Sequence, residues 1–396
     1  MTLLARFHTL SLVVKLPGES SVVSLFLQDF VNEPVFAELK RRQYVKSLTL
    51  HWSHEGVKSE IDFEHVLPQY LSLFPGLLAL ELCGVIYKRP EQHISQRFHL
   101  QSLTIDGYLY NHRFHGQHDQ RALCDLICLF PTLKELKLQQ VCDPHGEGDN
   151  DVDDSYDVEI EHLPRINSVV FDDSGAPLVL LRVLRTAEVR YIDIAKLYSY
   201  HTQSVVNACA ATLEHLNCTL KFVDYVKDKQ YMLPNVKLAN LSVLRRLTVV
   251  VELADHQDDT EELSFLKDEP WSTLATFFVA LRKRPDSVPP LEYIELQLEL
   301  SRSIRNNDGD QIMAEARRVF SHHQRFVYRA DTELSRLVDD GLVESVKVQW
   351  RGGIQWKRTW ILQHHSCLNV PIVRAFPQLD KKDCLRLLHE VCECDG

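Results

Sequence analysis

The chain has 396 residues, of which 45% are hydrophobic and 25% charged, and carries a formal net charge of -11. Those proportions are ordinary for a soluble folded protein, and the acidic balance argues against bulk attraction to nucleic acid or anionic lipid. No basic segment followed by an apolar one opens the chain and no apolar run reaches about 18 residues, so neither nucleic acid nor membrane is expected as a partner.

The ten cysteines are scattered, and several fall inside apolar periods, as small buried hydrophobes do. A reducing compartment, cytoplasmic or nuclear, is the expectation.

Eleven segments repeat one pattern, an apolar residue at relative positions 1, 4 and 6, with starts at Phe7, Val45, Leu77, Leu100, Leu133, Ile166, Val189, Leu213, Leu244, Leu291 and Val343. Polar residues alternate with the apolar ones at 4 and 6, so each segment reads as a strand with one buried and one solvated side. Such a strand cannot bury its apolar side alone, and stacked copies share one core.

Between strands, Leu123, Leu126, Ile127 and Phe130 fall at i, i+3, i+4 and i+7. Val206, Cys209, Ala210 and Leu213 share that spacing, as do Leu274, Phe277, Phe278 and Leu281, and all three stretches predict helices. Proline precedes several strands, as in Phe74-Pro75-Gly76-Leu77, Phe130-Pro131-Thr132-Leu133, Leu163-Pro164-Arg165-Ile166 and Pro289-Pro290-Leu291. Proline disfavours helix at the residue before it, which ends the helix and turns the chain into the sheet.

The expected fold class is therefore α/β: an irregular leucine-rich-repeat solenoid with a parallel sheet on its concave face and helices on its convex face. Residues 1–350 form the solenoid and 351–396 a C-terminal hairpin and helix cap. In that cap Asp380 is the N-cap, and Cys384, Leu387, Leu388 and Val391 form the apolar face. Acidic, apolar-poor stretches near 143–161 and 254–268 read as insertions. The repeats run from 23 to 52 residues, against about 20–29 for regular ones. Val85, Tyr108, Val141, Ser174, Leu197 and Lys221 stand at relative position 9, where a regular repeat places Asn or Cys.

The Phe-Pro-x-Leu-x-x-Leu-x-Leu units at Phe74 and Phe130, with the opening Phe7 to Leu12 and the unit Tyr44 to Trp52, resemble leucine-rich-repeat F-box proteins of fungal (basidiomycete) type along essentially the whole chain. That resemblance implies a ubiquitin-ligase substrate receptor, in which an F-box recruits a Skp1-type adaptor and the repeats hold the client. Met1 lies six residues before the first repeat, so no F-box is recognisable. Leu16-Pro17-Gly18-Glu19 mimics its opening but reads as a turn. The chain alone is expected not to bind the adaptor.

Candidate chemistry is sparse. His112, His115 and His118 near Cys124 and Cys128 have ligand types suited to zinc, while the two cysteines equally suit one flank of a buried helix face. The cluster of His364, His365, Cys367, Cys392 and Cys394 lacks paired spacing. Asp149, Asp151, Asp153, Ser155 and Asp157 echo a calcium loop, but Asp154 and Ile160 occupy the positions of its Gly and Glu. Trp350, Trp356 and Trp360 interleave with Arg351, Lys357 and Arg358. That pattern could stack bases, and is favoured as packing of the cap.

The function expected is non-catalytic protein binding, with no catalytic residues, metal or cofactor. An enzyme, or enzyme regulator, on the same scaffold is the alternative. Positions 3 and 5 should face a client on the concave sheet face: Tyr191, Asp193, His215, Asn217, Arg246, Thr248, Tyr293 and Glu295. Tyr191, Arg246 and Tyr293 are the residue types that dominate interfaces.

Overall fold

The computed structural model describes residues 10–16, 43–52, 67, 71–83, 97–106, 118–139, 163–172, 178–195, 199–220, 240–253, 261–300, 327–350, 372–382 and 385–386. They fall into two compact units, Met1–Cys209 and Ala210–Gly396.

In the first unit the described strands are β1 (Leu10–Leu16), β2 (Val45–Trp52), β3 (Ala79–Cys83), β4 (Ser102–Asp106), β5 (Glu135–Gln139), β6 (Ser168–Asp172) and β7 (Tyr191–Ile194). Each pairs in parallel with the next. Parallel neighbours need a crossover, and helices supply two of them: α1 (His118–Cys128) between β4 and β5 and α2 (Leu178–Thr186) between β6 and β7, with α3 (Ser199–Ala208) following β7. Helix α2 packs against both α1 and α3.

The repeat rule holds wherever side chains are described. Leu77, Leu80 and Leu82 are buried, as are Leu100, Leu103 and Ile105, Leu133, Leu136 and Leu138, and Ile166, Val169 and Phe171. Each such side chain contributes about 1.5–3 kcal/mol on burial, so the core is distributed evenly along the stack.

Two backbone devices explain why so divergent a sequence keeps one register. The carbonyl at position 2 of one repeat accepts both the position-2 and position-3 amides of the next. Gln101 N and Ser102 N donate to Leu78 O at 2.8 and 3.0 Å, and Lys134 N and Glu135 N to Gln101 O at 2.9 and 3.0 Å. Asn167 and Ser168 repeat this on Lys134 O, and Arg190 and Tyr191 on Asn167 O. Because the stitch is made by backbone, any residue serves at position 2.

The second device is the Phe-Pro-x-Leu turn. Leu77 N donates to Phe74 O and Leu133 N to Phe130 O, both at 3.0 Å, which puts proline at the second turn position that its fixed φ suits. Phe74 and Phe130 are buried beneath the turn. Gly76 is required there by close approach, since a Cβ would lie 2.2 Å from the Gln43 carbonyl oxygen.

The second unit repeats the scheme with β8 (His215–Leu220), β9 (Arg246–Leu253), β10 (Tyr293–Leu300), β11 (Val346–Trp350) and β12 (Leu385–Arg386), all parallel and in sequence order. Helix α4 (Glu261–Leu281) buries Trp271, Leu274, Phe277, Phe278 and Leu281. It begins inside the stretch 254–268 expected as an insertion. A helical stretch at 327–339 buries Val327, Leu334 and Leu337.

The C-terminal reading needs correction. Asp380 lies within the short helix α5 (Pro377–Lys381) and does not cap a helix after it, because Leu385 and Arg386 pair with Val346 and Lys347 as strand β12. The exposed edge of β11 presents amide and carbonyl groups that a strand satisfies and a helix cannot. The capping role falls to fully buried Asp331, whose carboxylate accepts Gln378 N at 3.0 Å and Leu379 N at 3.2 Å. Cys384, Leu387, Leu388 and Val391 lie outside the described residues, as do the hairpin after Trp350 and the loop 143–161.

No helix among the described residues is long and apolar enough to cross a membrane.

Candidate binding faces

Positions 3, 5 and 7 of each strand point away from the repeat core. In the first unit this outward side is half-buried or exposed throughout: Glu81 and Cys83 on β3, Thr104 and Asp106 on β4, Lys137 and Gln139 on β5, Val170 and Asp172 on β6, and Tyr191 and Asp193 on β7. Three of its carboxylates accept hydrogen bonds from neutral donors. Thr49 Oγ1 donates to Glu81 Oε2 at 2.8 Å, Gln139 Nε2 to Asp172 Oδ2 at 3.4 Å, and the Tyr191 hydroxyl to Asp193 Oδ2 at 3.4 Å. The Cys83 thiol is pushed up to about 11 by burial, with the Glu81 and Asp106 charges adding to it, so it is no ready nucleophile.

The second unit differs. Register places His215, Arg246 and Tyr293 side by side in one row, and Asn217, Thr248, Glu295 and Lys347 in the next. The first row is accessible. Arg246 keeps half of its side chain exposed, donates from Nε to Glu292 Oε2 at 2.8 Å, and sits 5.7 Å from the centroid of the Tyr293 ring. Arg245 reaches the other Glu292 oxygen at 3.6 Å, and the Arg246 hydrogen bond holds the Glu292 carboxyl below its ordinary range.

Asn217, Thr248 and Glu295, expected on a solvated face, are instead buried. So are their outward neighbours Thr219 and Val250, the latter with 0% of its surface exposed. Strand β9 explains part of this. Its run Val249-Val250-Val251 is the continuous apolar sequence of a strand covered on both sides, a signal that strict alternation overlooks.

Glu295 tolerates burial because its charge is answered. Oε1 accepts from Gln297 Nε2 at 2.7 Å and from Gln349 Nε2, and Lys347 Nζ lies 3.7 Å from Oε2. His215 Nε2 is 3.1 Å from Thr248 Oγ1. Burial, and then the Arg246 charge, push its pKa down, against a smaller opposing pull from Glu295. Of the eight outward residues singled out from sequence, Tyr191 and Asp193 belong to the first unit and the other six to the second.

Among the described residues no group of three or more His, Cys, Asp or Glu side chains is placed to hold a metal ion. Cys124 is buried in the face of α1, and Cys128 is half-buried with its thiol raised to about 11, chiefly by burial. His112, His115, His364, His365, Cys367, Cys392, Cys394, Trp356, Trp360 and the aspartates from 149 to 157 lie outside the described residues.

No family model and no curated protein matches the chain. A solved structure from Bacteroides fragilis is similar over 77% of this chain and 71% of its own, at 11% identity and a TM-score of 0.30, a likeness too distant to argue from. The chain's own strands carry the conclusion: an α/β protein of parallel strands laid down in sequence order, compatible with a repeat solenoid.

Proposed function

We propose that this chain is a non-catalytic protein-binding repeat protein of the leucine-rich-repeat, F-box-like kind, the client-holding part of a ubiquitin-ligase substrate receptor or a truncated relative of one. The observation that carries the reading is the asymmetry of the first unit. Its core positions are buried repeat after repeat, while the other side of the same strands stays accessible across β3 to β7. A rigid sheet with one accessible side presents side chains at fixed spacing, about 4.8 Å between strands, and needs no ordering on binding.

The chemistry of that side points to the client. Glu81, Asp106, Asp172 and Asp193 outnumber Lys137 on the rows at positions 5 and 7, so a client presenting lysine or arginine is complementary. Tyr191 beside Asp193 supplies an aromatic anchor. In the second unit Arg246 and Tyr293 are the accessible members of the set.

Affinity capture from the native cell with the wild-type chain, the double variant Glu81→Lys/Asp193→Lys, and Glu188→Lys as a surface control tests this. The reading expects clients that fall away at raised salt, are lost with the double variant and are kept with the control. Clients retained by the double variant would overturn it.

A further inference from the structure

One register row crosses the accessible side of the first unit from β2 to β7: Thr49, Glu81, Thr104, Lys137, Val170 and Asp193. Neutral side chains separate its charges, which run minus, plus, minus. The Glu81 and Asp193 carboxylates are oriented by the hydroxyls of Thr49 and Tyr191, and a neutral donor holds a carboxylate in place without cancelling its charge. Lys137 is flanked by Thr104 and Val170 and makes no ion pair among the described residues. It reverses the sign of an otherwise acidic side.

The spacing of the row fits one backbone conformation. Strands lie about 4.8 Å apart, so along the row each carboxylate stands about 10 Å from Lys137 and the two are about 19 Å apart. A polyproline II segment presents the same side at every third residue, about 9.3 Å, and spans the row in six residue steps at about 18.6 Å. A β-strand presents one side about every 6.7 Å, out of step with two strand spacings. An α-helix returns to one side after seven residues, about 10.5 Å, and overshoots the far carboxylate by about 2 Å.

We infer that the client engages the first unit through a polyproline II segment laid across the strands. Lys or Arg stands against Glu81, Asp or Glu against Lys137, and Lys or Arg against Asp193. The inference rests on the client reading above and narrows it, because Lys137 becomes the residue that sets specificity. A uniformly basic segment would bring like charges together at Lys137, which is how an interface rejects wrong partners. A segment already extended before it binds also loses little freedom on docking.

Fluorescence polarisation of two labelled proline-rich peptides against the full chain tests it. One carries lysine, glutamate and lysine at every third residue, and the other lysine at all three places. The wild type is expected to bind the first at least about tenfold more tightly, and Lys137→Glu to reverse that order. An unchanged order in Lys137→Glu would overturn the inference. So would absence of binding by both peptides, or preference for a helical peptide with the same charges at every seventh residue. The client reading is decided separately, by capture: clients lost with Glu81→Lys/Asp193→Lys but indifferent to Lys137→Glu would leave that reading standing and overturn this one.

Discussion

Replacing Val250 tests whether the outward side of β8 and β9 is closed beyond the accessible row of His215 and Arg246. Its side chain is fully buried although register points it away from the repeat core. Truncation to alanine removes two carbons, worth about 0.8 kcal/mol each by transfer, and a residual cavity brings the loss to about 2–3 kcal/mol. Aspartate adds a carboxylate without a partner, which takes the loss to about 4 kcal/mol or more. Gln139 holds the same repeat position on β5, where it is half-buried and makes one long hydrogen bond, so Gln139→Ala should stay within about 0.5 kcal/mol. Urea unfolding followed by tryptophan fluorescence is the assay, since Trp271 is buried in α4 of the same unit. A Val250→Asp chain that unfolds at the same urea concentration as Gln139→Ala would refute two-sided burial.

Three further outcomes follow from the same geometry. Leu136 is buried and Lys137 is not, so Leu136→Asp should cost several kcal/mol and Lys137→Asp under about 1 kcal/mol; equal melting shifts would mean a wrong register. Burial raises the Asp331 carboxyl above its ordinary 3.8, more than the Gln378 and Leu379 amides and Lys382 lower it. The folded state thus holds that proton more tightly than the unfolded chain. The resulting stability is fully present below 3.8 and is lost as pH rises through the folded pKa. The wild type should therefore lose stability relative to Asp331→Asn as pH rises from about 4 to about 7, read as urea midpoints, and a relative gain would refute the assignment. Gly341 has φ 69° and closes the helical stretch 327–339, with Leu342 N on Leu337 O and Gly341 N on Val338 O. Gly341→Ala should cost about 1 kcal/mol, and an unchanged melting temperature would count against that backbone strain.

The core was legible because its signal is local. Position 4 and position 6 sit two residues apart on one strand, and parallel stacking adds nothing that could move them to the other side. The proline turns were legible for the same reason, since Phe74 to Leu77 and Phe130 to Leu133 each close within four residues. The C-terminal segment failed on a non-local contact. Cys384, Leu387, Leu388 and Val391 have helical spacing, but Leu385 and Arg386 sit where β11 offers unpaired backbone, and pairing overrides so short a propensity. The capping carboxylate comes from Asp331, 47 residues before Gln378, beyond any local capping pattern.

The outward side was legible only by half, and the reason lies in what closes it. Strand β10, with Tyr293, Glu295 and Gln297 alternating with apolar residues, has the same period as β5, with Glu135, Lys137 and Gln139. Nothing within five residues distinguishes an accessible side from a closed one. Part of the difference lies across strands: Gln349 on β11, 54 positions further along the chain, reaches Glu295. A buried carboxylate is tolerable where such amides and a lysine converge on it, so the polar side chain that reads as solvated on its own strand becomes interior once its neighbours are in register. Arg246 escapes this because its partner, Glu292, stands at position 2 of the next repeat, toward the start of the strand and off the closed rows. A partner approaching the second unit would therefore meet Arg246 and Tyr293 directly, and could reach Glu295 only by displacing the amides that already hold it.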